Sequence, residues 1–394
     1  MNRALSFIVV FAMFPSVIFG DRQLKEYDND INYDESKIPY YDLPPALLTA
    51  EGKKITTADE WKHIRRPQIL SLFSNLVYGR VPKLHFPITT EHKTIESDES
   101  YLGGKAKYKK VEIHFKNQNA EVSITVHIVV PKTANGPSPA FMKLGTGGPV
   151  EKWIDRGFAV IGIDQNKFVG HNEISFERSI HRLFFRKGQS FPKAREWGVL
   201  SAIAWGHSRV LDYLETDDDI DAKRVAIMGH SKTGKAALWT AAQDERFALA
   251  ISAQSGCAGA ALWRRRSGET LQKMVTRFPY WLCRNAWKFV NQEDDLPVDQ
   301  HMLLALIAPR PVYVASGIDD TWADPRGEYA SAYHASEVYR LLGKKGVTSP
   351  KLPALGKAII DSDVGYHIRE GAHSVEEYDW QMFMDFCDHH LNKK

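Results

Sequence analysis

After Pro139 the chain alternates short, unbroken apolar runs with amphipathic stretches, and this pattern restricts the fold more than any other feature. The apolar runs are Ala140–Leu144, Phe158–Ile163 (FAVIGI), Arg224–Met228, Ala248–Ser252 and Pro311–Ser316 (PVYVAS). Helical spacing occupies Gly198–Leu214, a stretch from Lys232, Glu328–Leu342 and a last segment, Tyr378–His390. A strand that is apolar on both sides has to be covered on both faces. The expectation is therefore a mostly parallel sheet between two helical layers, a three-layer α/β sandwich.

Upstream the periodicity differs. Trp61–Tyr78 has helical spacing, whereas Val111, Ile113 and Phe115 and then Val122, Ile124, Val126 and Ile128 alternate as a half-buried hairpin. This predicts an antiparallel edge on the sheet. Residues 21–59 are polar, tyrosine-rich and interrupted by Pro39, Pro44 and Pro45, and are expected to wrap the surface as an arm. No repeat or low-complexity linker divides 21–394, so a single catalytic-size α/β domain is expected.

Residues 1–20 have the layout of a secretory signal peptide: Arg3, an uncharged apolar stretch from Ala4 to Phe14, and Gly20 before Asp21. The expected location is secreted or periplasmic, and no other run is long enough to cross a bilayer. Lys and Arg number 51 against 48 Asp and Glu, a net +3 spread without a basic block, which gives no basis for nucleic-acid binding. Cys257, Cys283 and Cys387 form neither a CxxC pair nor a zinc spacing, so three buried thiols and no metal are expected.

The strand Arg224–Met228 runs into Gly229-His230-Ser231-Lys232-Thr233-Gly234-Lys235 and then directly into an alanine-rich helix. A serine on so tight a strand-to-helix turn is held above the sheet edge, beside helix N–H groups suited to a developing oxyanion. The second glycine of Gly-x-Ser-x-Gly comes one residue late, with Thr233 in its place. The same residues also fit a phosphate-binding loop, but position 236 is alanine, where that loop needs a magnesium-binding hydroxyl. A serine nucleophile needs an acid and then a histidine later in the chain. Both follow: Asp319, Asp320 and Asp324 in the loop after Pro311–Ser316, and His373 in a glycine-containing loop before the last helix.

From Trp197 to Trp380 the sequence resembles the glucuronoyl esterases, the fifteenth family of carbohydrate esterases. The shared motifs include WGVLSAIAWGHSRVLDYLETDDDIDAKRVAIMGHSKTGKAALW, SGCAGAALWRRRSGET, FPYWLC, WADPRGE and GYHIREGAH. The resemblance implies an α/β-hydrolase fold and a cofactor-free, metal-independent serine esterase. Its substrate would be the ester between (4-O-methyl-)glucuronic acid of glucuronoxylan and lignin alcohols, its state monomeric, with no membrane or nucleic-acid partner. It implies Ser231 as nucleophile, His373 as base, and Lys235, Glu269 and Trp322 as contacts to the glucuronoyl sugar. Two positions depart from the family. Gln254 stands where many members carry the catalytic glutamate; Asp320 matches the later site used by some bacterial members, with Asp319 and Asp324 as neighbours. Lys232 stands where the family usually has an oxyanion-binding arginine, keeping the charge without the rigid fork. The alternatives are an acetyl-xylan or other carbohydrate acetyl esterase and, from another class, a non-catalytic carbohydrate-binding protein.

Overall fold

The structure, a computed structural model, describes residues 31–132, 136–164, 168–170 and 173–392. The expected signal peptide and arm residues 21–30 lie outside the described residues. Among the described residues the strands are β1 (Thr89–Tyr101), β2 (Ala106–Lys116), β3 (Glu121–Pro131), β4 (Ser138–Leu144), β5 (Ala159–Asp164), β6 (Ile220–His230), β7 (Leu249–Ala253), β8 (Val312–Gly317) and β9 (Val364–Arg369). They form one sheet in the order β1-β2-β3-β5-β4-β6-β7-β8-β9. Pairing is antiparallel from β1 to β5 and parallel from β5 through β4 to β9. The expected antiparallel edge and parallel body are both present, and Val111 faces Val126 across the hairpin.

The helices used below are α1 (Arg66–Leu76), α2 (Val150–Asp155), α3 (Val199–Leu214), α4 (Lys232–Gln243), α5 (Leu271–Arg277), α6 (Gln300–Ala305), α7 (Pro325–Leu341) and α8 (Glu377–Leu391). Alternate residues of the central strands enter two separate cores, as a period of two requires. Val225, Ile227, Ala250, Val312 and Val314 pack with α3, α4, α6 and α7. Ala226, Met228, Ile251, Tyr313 and Ala315 pack with Trp153 of α2 and with Phe383, Phe386 and Cys387 of α8. All three cysteines are buried and unpaired, as expected. No helix among the described residues is long and apolar enough to cross a membrane.

Two strands escape the sequence pattern, for opposite reasons. β1 is exposed along its whole length except Tyr101, so no apolar alternation marks it; its ladder with β2 holds it, with His92 edge-on to Tyr213 of α3 at 5.0 Å. β9 is buried throughout yet carries His367 and Arg369, which break the apolar run. Asp379 of α8 makes their burial tolerable, accepting from His367 Nε2 at 2.7 Å and from Arg369 Nε at 2.6 Å. α7 also begins earlier than the spacing suggests, at Pro325, with Asp324 capping it at φ 52°.

Parallel registry brings four strand ends to one edge. His230 pairs with Ala253, Ala253 with Ala315, and Gly317 with Arg369. The segments that follow β6, β7, β8 and β9 therefore converge, and ligands of such sheets bind at this carboxyl edge.

Candidate active site

Ser231 is the single residue between β6 and α4, held at φ 55° and ψ −126°. A non-glycine residue rarely occupies such a conformation, and it persists only where its surroundings impose it. Here the Ser231 N–H donates to Ala253 O at 2.9 Å, and its carbonyl accepts from the N–H groups of Gly234 and Lys235. Gly229 is obligatory, because a Cβ there would lie 1.9 Å from Thr233 O. The late second glycine also has a local explanation. Thr233 Oγ1 accepts from His230 N and donates to His230 O, both at 2.8 Å, so a hydroxyl closes the turn at the position that usually holds glycine.

The β8 and β9 loops clasp each other through glycines. Asp319 N donates to Gly371 O, Gly371 N donates to Asp319 Oδ2, and a Cβ on Gly317 would collide with Gly371 O at 2.6 Å. This contact carries His373 to Asp320: Nδ1 lies 2.7 Å from Asp320 Oδ2. The three acidic candidates are thereby separated. Asp319 binds the His373 loop backbone, Asp324 pairs with Arg265 at 2.9 Å, and Asp320 alone of the three hydrogen-bonds the imidazole. Ser231 and His373 line one cavity of about 210 Å³. Ser231 Oγ makes no hydrogen bond among the described residues and faces the same cavity as the His373 ring.

Gln254, where a glutamate was the commoner family choice, follows β7 with φ 46° and is almost fully buried. Its Oε1 accepts from Ser374 N at 2.8 Å and from His230 Nε2 at 3.1 Å. The Ser374 N–H can only donate, which fixes the amide orientation and makes His230 Nε2 a donor. His230 in turn lies 4.5 Å, ring to ring, from His373. Burial, and then the neighbouring His373, hold the His230 pKa below its ordinary value.

Lys235 and Glu269 are brought together differently from expectation. Rather than two separate sugar-bracketing groups they form a buried ion pair at 2.8 Å. The other two ammonium protons of Lys235 reach Ser255 O and Cys257 O. All three Lys235 donors are thus used internally, which also removes the phosphate-binding reading, and Glu269 Oε1 accepts no hydrogen bond among the described residues. Trp322 lines the cavity, but the Arg277 guanidinium lies over its ring at 5.1 Å. Lys232 provides the first N–H of α4, one of the donors a helix start leaves unpaired. It is not among the residues lining the cavity, and burial pushes its ammonium down to about 8.

Sequence reasoning assigned no role to Arg277, Phe278 and Trp281, which line the cavity; Phe278 and Trp281 stack at 3.9 Å. The only signal for Phe278 and Trp281 was the FPYWLC motif, and Arg277 lies just before it. It also treated the N-terminal arm as packing. In the structure Gly268 N donates to Asn32 O beside Glu269, and Glu35 pairs with Arg265, the partner of Asp324.

Comparisons with known proteins agree with this geometry. The family model described as "Glucuronyl esterase, fungi" matches residues 113–343. A curated relative, carbohydrate esterase MZ0003 from an unknown prokaryotic organism, is 38% identical over 98% of this chain and 98% of its own. The 4-O-methyl-glucuronoyl methylesterase of Thermothelomyces thermophilus is 31% identical over 72% of this chain and 68% of its own. Among solved structures, a glucuronoyl esterase from Solibacter usitatus superposes with a TM-score of 0.85 at 36% identity, covering 91% of this chain and all of that one. On these matches, with the α/β-hydrolase arrangement of its sheet and helices, the chain belongs to the glucuronoyl esterase family, carbohydrate esterase family fifteen.

Proposed function

We propose that this carboxylic ester hydrolase cleaves esters of glucuronic acid, with or without the 4-O-methyl group, on xylan, releasing a lignin alcohol through an acyl-enzyme on Ser231. The observation that supports the reading best is the 2.7 Å contact between His373 Nδ1 and Asp320 Oδ2 beside the strained Ser231 turn in one cavity. In this mechanism His373 Nε2 takes the Ser231 proton as Oγ attacks the carboxyl carbon. The tetrahedral oxyanion is met by N–H groups at the start of α4, Lys232 among them, with the Lys232 ammonium adding positive charge. The imidazolium then protonates the departing alcohol, and water repeats the sequence to free the glucuronate. Asp320 holds the imidazole in the required tautomer and stabilises its charged form. Glu269, oriented by Lys235, offers Oε1 to a sugar hydroxyl, and Trp322 and Trp281 supply apolar walls. Residues 1–20 are read as an export signal, placing the mature, monomeric enzyme outside the cytoplasm.

The decisive comparison is turnover of a benzyl glucuronate ester against acetylated xylan under identical conditions, for the native chain and Ser231→Ala. The native enzyme should strongly prefer the glucuronate ester and Ser231→Ala should lose that turnover while keeping its melting temperature. Preference for acetylated xylan would make the chain an acetyl esterase; an active Ser231→Ala would place the nucleophile elsewhere.

A further inference from the structure

A second cavity, of about 460 Å³, is lined by Arg178, Arg182, Arg186 and Lys187, with Glu177 the one carboxylate lining it among the described residues. Among the described residues Arg178, Arg182 and Lys187 form no ion pair, and Arg186 Nε donates to His85 Nε2 at 3.0 Å. Some other exposed cations are neutralised by carboxylates, as Lys105 is by Glu151 and Asp155. Converging unpaired like charges repel one another and focus a positive potential into the cleft, which favours an anion there.

The cleft is also held in shape. The Glu173–Arg178 and Ile180–Phe184 turns carry buried Phe176, Ile180, Leu183 and Phe184 on one side and the arginines on the other. The β2–β3 turn clamps this segment, Asn117 Nδ2 donating to Leu183 O and Asn119 Nδ2 to Phe185 O, both at 2.7 Å. A further, aromatic cavity of about 320 Å³ is lined by Phe176, Phe191, Tyr280 and Trp287. Phe176 directly precedes Glu177 of the basic cleft, while Tyr280 directly precedes Trp281 of the catalytic cavity.

We propose that the basic cleft binds free carboxylates of an acidic polysaccharide, the unesterified glucuronates of the same polymer whose ester reaches Ser231. This rests on the glucuronoyl-ester reading above. Arginine forks match planar carboxylates in two parallel charge-assisted hydrogen bonds, whereas a neutral xylose backbone offers them only uncharged hydroxyls, which bind more weakly. The cleft thereby selects acidic xylan over neutral xylan without touching the reacting ester.

The test measures binding of Ser231→Ala to glucuronoxylan and to the same polymer with its carboxyl groups reduced to alcohols, alone and combined with Arg178→Gln, Arg182→Gln and Lys187→Gln. The acidic polymer should bind at least tenfold tighter than the reduced one, and the triple replacement should abolish that difference. On the native Ser231 background the triple variant should hydrolyse a small soluble glucuronate ester within twofold of the parent, which shows that it is folded. Equal binding of both polymers, or a preference that survives the triple replacement, overturns the proposal. So does displacement of glucuronoxylan by millimolar inorganic phosphate, which would mark a non-selective cation patch. Failure of the parent enzyme on the small ester would overturn the activity instead, independently of the binding result.

Discussion

Gln254 and Asp320 show how one position can be vacated while its chemistry moves to another strand. Gln254 is a neutral amide that ties the His373 loop through Ser374 N and orients His230. It can restrain the imidazole's neighbourhood but cannot offset a positive charge on it. Asp320 can, from 2.7 Å. Asp320→Asn should therefore lower kcat by about four orders of magnitude, the loss seen when a triad acid becomes an amide, whereas Gln254→Ala should cost far less. Steady-state kinetics on a small glucuronate ester decide between them, and the reverse ranking would move the acid function away from Asp320. The local part of this site was legible in the residues alone, because Gly229, Ser231 and the turn they make depend on neighbours within a few positions. The choice among Asp319, Asp320 and Asp324 was not legible, since it depends on how the β8 loop meets the β9 loop. Arg277, Phe278 and Trp281 stayed unassigned for the same reason: they reach the cavity by folding back from a segment with no catalytic residue type of its own.

At the scale of elements, β9 and α8 act as one brace behind His373. Asp379 on α8 pairs with His367 and Arg369 on β9, and Arg369 reaches on to Glu370 O and Ser374 O on either side of His373. The carboxylate of Asp379 is held below its usual range: burial alone would raise it, and the His367 hydrogen bond, with Arg369, outweighs that. Asp379→Asn leaves a buried guanidinium without its counter-charge. It should destabilise the protein by about 3–5 kcal/mol in urea unfolding, the cost of breaking a buried pair, and reduce turnover by loosening the His373 loop. Unchanged unfolding would show that Arg369 finds enough carbonyl partners without it. The strand itself was hidden in the sequence because its buried polar residues are satisfied by a helix that comes later in the chain. β1 was hidden by the opposite circumstance, polar residues on both faces.

Across the whole molecule, Glu328 links three elements that shape the site. From α7 it accepts from Gly256 N after β7 at 3.0 Å and from Ser316 Oγ of β8 at 2.7 Å. Complete burial raises its pKa to about 8, from 4.5. A carboxyl whose folded pKa is raised stabilises the fold fully below pH about 4.5, and that contribution is lost as pH climbs through about 8. Glu328→Gln keeps both hydrogen bonds, its oxygen accepting from Gly256 and its amide donating to Ser316, and has no proton to lose. The melting temperature of the variant should rise relative to the native chain as pH increases from about 5 to 9, because the variant lacks this titration. A difference that stays constant with pH would mean that Glu328 remains ionised throughout.

The alternation of strands and helices in the parallel body, the β2–β3 hairpin at its antiparallel edge and the serine turn were determined by the chain alone. Each depends on apolar periodicity or on backbone freedom at a few adjacent residues. What only tertiary structure decided is which distant groups meet. The Lys235–Glu269 ion pair, the Asp320–His373 contact, the arm bracing Gly268 and the gathering of arginines in the basic cleft are products of strand registry and loop contact, which residue spacing along a chain does not encode.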